Sequence, residues 1–265
     1  EMEKEETPES LPILPLRNTV LFPGVVIPIT VGRDKSISLI QDANKGDKNI
    51  GVISQTDDTV EDPNKEQLFE VGTVARILKI FKMPDGNTTA IIQGKKRFKL
   101  NEITEFEPYI RATVEKYDVS KVPKDAKFNA LVHSIKDMAL RIIEQSPNIP
   151  SEASFAIKNI ESNSFLINFI ASNMNAEVYQ KQEVLKETSC RRRAQILLRL
   201  LSKDLKLLEL KNDIQSKVKT DIDKQQKEYF LNQQMKQIQE ELGGTPQDLE
   251  IKEFEKRSKK KKWSK

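Results

Sequence analysis

The chain has 265 residues, 37% of them hydrophobic and 32% charged, enough for two ordinary domains with a core each and a large solvated surface. Its net charge of +4 is local: the last ten residues, KRSKKKKWSK, hold 7 Lys or Arg and no acid, leaving 37 basic against 40 acidic residues elsewhere. No apolar run approaches the roughly 20 residues of a bilayer span, which excludes a membrane helix, and a lone cysteine, Cys190, excludes an internal disulfide.

Residues 1–10 open with EMEKEE, an acidic leader unlike a secretory signal. With the reducing compartment that single-cysteine usage favours, the expected location is a bacterial cytoplasm, with a mitochondrial matrix second.

From Leu11 to Asp118 short apolar runs are punctuated by Pro and Gly, and a mostly antiparallel β module is expected. YIRATVEKYD from Tyr109 alternates, with Ile110, Ala112 and Val114 on one face. VGTVARILKIF from Val71 and TTAIIQG from Thr88 should pair as a hairpin around Gly86, whose positive φ a tight turn can use. LPILPL and VVIPITV carry prolines that cannot donate to a ladder, which predicts edges or bulges. RNTVLFPG between them reads as a loop, and Lys35 to Lys45 as a helix on the sheet.

SKVPKDAKF from Ser120 marks a boundary, so a helical domain is expected over 119–188. Phe128, Leu131, Val132, Ile135, Ala139, Ile142 and Ile143 recur at helical spacing and stop before Ser146-Pro147. Two shorter helices follow, the first capped by Ser151, then one capped by Asn175 and anchored by Val178 and Leu185.

Over 189–242 nothing breaks the helical pattern before Gly243-Gly244, a stretch of about 80 Å at 1.5 Å per residue. Ile196, Leu197, Leu200, Leu201, Leu205 and Leu208 should pack into the bundle; Ile214, Val218 and Ile222 then form a narrow coiled-coil stripe. Apolar density returns at Tyr229, Phe230, Leu231, Met235 and Ile238, where a partner helix or domain is expected if the residues do not pack internally. Residues 243–265 read as a linker and basic tail.

Catalytic patterns are missing. No Gly-x4-Gly-Lys-Ser/Thr phosphate loop occurs; Gly94-Lys95 reads as a strand end. One His and one Cys, far apart, give neither a zinc cluster nor a Cys-His nucleophile. His133 falls on the polar flank of its helix; Cys190 before Arg191-Arg192-Arg193 has neighbours that could lower its pKa, but a lone cysteine is more often structural, and that reading is preferred. In GKKRFKL, alternation places Arg97 and Lys99 opposite Phe98 and Leu100, a half-buried strand that needs no ligand. No catalytic, cofactor-binding or metal-ligating residue is therefore assigned.

LPILPLRNTVLFPGVVIPITVGRDKSISLI from Leu11 resembles the opening of the Lon protease N-terminal domain, with Pro-Leu-Arg, Phe-Pro-Gly and Val-Gly-Arg in order. QQKEYFLNQQMKQIQEELGG from Gln225 resembles the segment these proteases carry before their ATPase module. The resemblance implies an α+β chain: a PUA-like antiparallel β module over 11–118, a helical bundle, and a very long helix. It also implies selection of unfolded, damaged or degradation-tagged proteins and assembly into a homohexamer. ATP, magnesium and a Ser-Lys peptidase are expected in domains beyond this chain.

Unfolded chains differ from native ones in displaying apolar residues, so recognition needs exposed apolar surface. Phe22, Val25 and Val26 are the substrate-contact candidates, because proline and glycine keep their loop out of a ladder; the other possibility is that they plug the module's own core. Tyr229, Phe230, Leu231, Met235 and Ile238 are the assembly candidates. DNA or RNA binding is the alternative, since PUA-like modules also occur in RNA-modifying proteins and the tail is basic; a purely structural scaffold is a third reading. No membrane partner is expected.

Overall fold

The computed structural model describes residues 8–83, 88–118, 120–150, 152–242 and 246–261. The Gly86 turn, the Ser151 cap, the Gly243-Gly244 stop, the first seven residues and the last four lie outside the described residues. The chain falls into two compact units, Glu1–Leu208 and Glu209–Lys265.

The first unit begins with β1 (Ser10–Leu16), β2 (Val26–Val31), α1 (Asp34–Lys45), β3 (Asn49–Ser54), β4 (Val71–Lys82), β5 (Thr88–Glu105) and β6 (Arg111–Lys116). The strands run in the order β2-β5-β4-β3-β1-β6, and β6 also pairs with β5, which closes five of them into a ring and leaves β2 attached to β5 alone. β1 and β3 are parallel and the other pairings antiparallel.

The expected edge position holds for Pro28 in β2 but not for the prolines of β1, which lies between β3 and β6. Pro12 is tolerated because residues 10–12 pair only with β6, and Pro15 because residues 13–16 pair only with β3, so each proline faces one ladder. The expected strand end at Gly94-Lys95 is also corrected: β5 runs through it to Glu105, with register shifts that let its two halves serve different neighbours.

Helices α2 (Ala126–Gln145), α3 (Glu152–Asn159), α4 (Asn163–Asn173), α5 (Val178–Lys186), α6 (Cys190–Glu241) and α7 (Pro246–Lys260) complete the chain. Asp125 caps α2 by accepting from Phe128 N at 3.0 Å, and Ser162 caps α4 through Phe165 N at 3.3 Å. For α5 the cap is Glu177, not Asn175; Gln180 reciprocates by accepting from Glu177 N. Part of the basic tail lies in α7. The order is α+β: a β module, then helices, one of them 52 residues long.

Three apolar cores hold the first unit together. One lies between the sheet and α1, around Leu39, Ile40, Ile50 and Ile92. A second, around Ile13, Phe98 and Leu100, fills the other end of the ring. The third joins α2, α4, α5 and the start of α6 through Phe128, Ile135, Ile167, Val184 and Leu197, and it also takes in Val20, Phe22, Val25 and Val71 from the β module. The sheet and the helices thus share one core instead of resting on a thin interface.

Candidate functional site

The segment between β1 and β2 supplies the contact between sheet and helices. An irregular backbone here must find partners for its polar groups, and it does. Thr73 Oγ1 donates to Leu21 O at 2.6 Å, Ser54 Oγ to Thr19 O at 2.7 Å, and Asn168 Nδ2 of α4 to Pro23 O at 3.0 Å. Gly24 N donates to Gly94 O and Gly94 N to Val25 O, both at 2.9 Å. Gly24 has φ of +84°, and a Cβ there would sit 2.8 Å from the Phe165 ring, so glycine is required for conformation and for space.

This arrangement corrects the expectation that the loop displays its apolar residues. Phe22 is 0% exposed and Val25 is buried with it, both inside the core shared with the helices. Proline and glycine keep the segment out of a ladder so that it can wedge between layers. Of the substrate-contact candidates only Val26, at 48%, reaches solvent.

Val26 belongs to an outer sheet face that sequence reasoning did not identify. The register places Val26 beside Gln93 and Arg76, Pro28 beside Ile91 and Lys79, and Thr30 beside Thr89 and Phe81, across β2, β5 and β4. A bulge between Ile77 and Lys79 inserts Leu78 into β4, which turns Leu78 outward between inward-facing Ile77 and Ile80. Leu78 is 49%, Phe81 39% and Met83 46% exposed. The available signal was the run Ile77-Leu78-Lys79-Ile80-Phe81, in which apolar residues outnumber the positions that one buried face can take. Lys79 Nζ lies 4.9 Å from the Phe81 ring centroid.

Where α5 and α6 cover β5, the sheet's outer face is buried instead. Arg97, expected on a solvated face, is therefore almost fully buried, as is Arg193 of α6. Arg97 Nη1 donates to Glu187 O at 3.3 Å, and Arg193 Nη1 to Asn168 Oδ1 at 3.3 Å. Burial, and secondarily the charge of Arg193, lowers the Arg97 pKa to about 9. Burial also pushes the Cys190 thiol up, against the smaller opposite pull of Arg193 and Arg97, which fits the structural reading of this cysteine and not the activated one.

These burdens give a testable sign. Arg97's folded value lies below its unfolded one, so the unfolded chain holds the extra proton. The resulting penalty is fully present below about pH 9 and is relieved as pH rises toward the ordinary arginine range. Arg97→Met is expected to be neutral or stabilising by up to about 2 kcal/mol at pH 7. Urea titrations of both proteins should show the gap narrowing above pH 9; a variant less stable than the parent by more than about 1 kcal/mol contradicts this.

Elsewhere polar groups are ordinary. His133 is exposed and lies 2.8 Å from Asp137, one helical turn away. Arg191 pairs with Asp125, tying the start of α6 to that of α2. Among the described residues no cluster of His, Cys, Asp or Glu is placed to hold a metal, and no helix is long and apolar enough to cross a membrane.

In the second unit Tyr229, Phe230, Leu231, Met235 and Ile238 are each more than half exposed. They do not share one face. At about 100° per residue, Leu210, Ile214, Val218, Ile222 and Tyr229 fall in one stripe. Leu231, Met235, Ile238 and Leu242 fall in another, whose centre lies about 120° round the helix from that of the first, and Phe230 lies in neither.

Residues 10–203 match the family described as the ATP-dependent protease La (LON) substrate-binding domain. The chain is 58% identical over 264 residues to a Lon protease of Flavobacterium johnsoniae, covering 99% of this chain and 32% of that one. It is 49% identical to a Lon protease of Cytophaga hutchinsonii, covering 100% and 33%. It thus spans about a third of the length of these curated relatives. In fold it is similar to the N-terminal domain of Mycobacterium avium complex Lon protease, with a TM-score of 0.59 at 21% identity over 73% of this chain and 98% of that one. The corresponding values for the Lon N-terminal domain protein of Xanthomonas campestris are 0.53, 19%, 72% and 97%. A ring of strands wedged onto helices by a buried loop, with a family match across both, establishes that this chain belongs to the Lon substrate-binding domain family.

Proposed function

We propose that this chain is the substrate-recognition region of an ATP-dependent Lon-type serine protease that degrades misfolded, damaged and short-lived regulatory proteins in a bacterial cytoplasm. The outer face of β2, β5 and β4 is its contact surface. The observation that carries this is the joint exposure of Val26, Leu78, Phe81 and Met83 on or beside hydrogen-bonded strands. A sheet holds them in place, so little ordering is lost when an unfolded segment binds. ATP and magnesium chemistry and peptide cleavage belong, in this reading, to the part of the relatives that this chain does not cover. Self-association into a homohexamer uses the apolar stripes of α6; light scattering of the chain with and without the segment from Gln225 reads that half.

Leu78→Ser with Phe81→Ser removes two half-exposed side chains, each worth about 1 kcal/mol of apolar burial on contact. The pair should weaken binding of a reduced, amidomethylated protein about tenfold or more by fluorescence anisotropy, while the thermal midpoint stays within a few degrees. Unchanged affinity in a folded double variant refutes the assignment of this face.

A further inference from the structure

We infer that the outer face of β2, β5 and β4 selects unfolded polypeptide segments in which acidic residues flank apolar ones. This rests on the recognition reading above and adds the charge class of the substrate. Among the described residues 26–31, 76–83 and 88–93, the ionisable side chains are Arg76, Lys79 and Lys82, all exposed and all basic. Asp85 falls in 84–87, outside the described residues.

Several surface cations elsewhere on the β module have acidic neighbours. Lys99 lies 3.5 Å from both Glu70 and Glu115, Lys35 pairs with Asp62 and Glu107, and Arg111 lies near Glu105. Arg76, Lys79 and Lys82 have no ion-pair partner among the described residues; Lys79 instead stands over the Phe81 ring. Outside the basic tail the chain carries 37 basic and 40 acidic residues, so the absence of acids among these described segments is a local feature and not a reflection of bulk charge.

Register fixes the spacing. Arg76 lies opposite Gln93 and Lys79 opposite Ile91, so the two outer cations stand two residue steps of β5 apart, about 7 Å at 3.3 Å per residue. Lys82 pairs with buried Thr88, two residues on from inward-facing Ile80, and belongs to the other face at the strand end. Val26, Leu78 and Ile91 lie beside the two outer cations, and Phe81 follows on the same face. An extended chain crossing it meets cations set among apolar side chains. Phosphates would meet the same cations, but Phe81 is the one aromatic side chain in these strand segments, and single-stranded nucleic acid needs a row of stacking platforms. An acidic, apolar polypeptide fits better.

The test uses three labelled peptides sharing one apolar centre, with flanks of Glu, Ser or Lys, titrated against the whole chain. Acidic flanks should bind about tenfold more tightly than basic ones at low salt, with the difference shrinking from about 50 to about 500 mM salt. Arg76→Glu and Lys79→Glu together should reverse the order. Equal binding of all three peptides, with Leu78→Ser and Phe81→Ser still weakening each, overturns the charge inference and leaves apolar recognition standing. If no peptide binds, or if a single-stranded oligonucleotide binds where peptides fail, the recognition reading falls as well. Should the double charge variant not fold, salt dependence in the parent decides: a flat affinity for the acidic peptide overturns the inference.

Discussion

Phe22→Ala is expected to lower stability by about 3–5 kcal/mol, read as the shift of a urea unfolding curve. Phe22 is fully buried in the core that the sheet shares with the helices. Truncating such a ring removes its transfer energy and leaves a cavity, and the second loss depends on how far the walls relax. Here they are held: Thr73, Gly94 and Asn168 fix the loop backbone on either side of the ring. The loss should therefore fall in the upper part of that range. Phe22 belongs to neither of the other two cores, so amide exchange should quicken more in α2 and α4 than in β3 and β4. A loss below about 1 kcal/mol, or equal quickening in both sets, would mean that the ring only caps the core.

Periodicity was enough for α1 and α2, each of which shows one apolar face over several turns, while turn residues marked the β4–β5 hairpin and the lack of a breaker marked the continuous helix after Ser189. It failed where a second layer covers the other face. Alternation correctly set Arg97 apart from Phe98, but Phe98 enters the ring while Arg97 meets α5 and α6, and no local pattern in β5 announces helices that arrive about ninety residues later in the chain. The prolines of β1 misled for a similar reason. A strand whose two halves pair with different neighbours can tolerate proline inside a sheet, and that division follows from topology, not composition.

The candidate site was legible only in part. Composition singled out LFPG as a special loop, and the structure makes it special through burial instead of display. Exposed apolar surface arose in β4, where a single inserted residue reverses the side-chain alternation. A bulge is set by the partner strand's register, so Leu78 and Phe81 looked like ordinary strand residues. On α6 the apolar residues were visible, but grouping them by closeness in sequence merged two stripes that the helical repeat separates.

Gly94→Ala is expected to destabilise the chain by about 3 kcal/mol or more, although it adds only one methyl group. A Cβ at Gly94 would be driven into the Phe22 carbonyl oxygen and lie 3.2 Å from Thr73 Cγ2. Backbone cannot step aside as a flexible side chain can, so the loop must lift from β5. Lifting breaks the pair of 2.9 Å bonds joining Gly94 to Gly24 and Val25, worth about 0.5–1.5 kcal/mol each. It also withdraws Phe22 and Val25 from the shared core. Gly46→Ala is the control: its Cβ would meet nothing closer than Asp42 O at 3.7 Å. That variant should keep a urea midpoint well above that of Gly94→Ala. Since Gly94 lies on β5 directly after Gln93 of the outer face, a lifted loop should also move Val26, coupling stability to substrate affinity. Equal midpoints for the two alanine variants would show that the loop can be displaced freely, and the wedge between sheet and helices would lose its structural role.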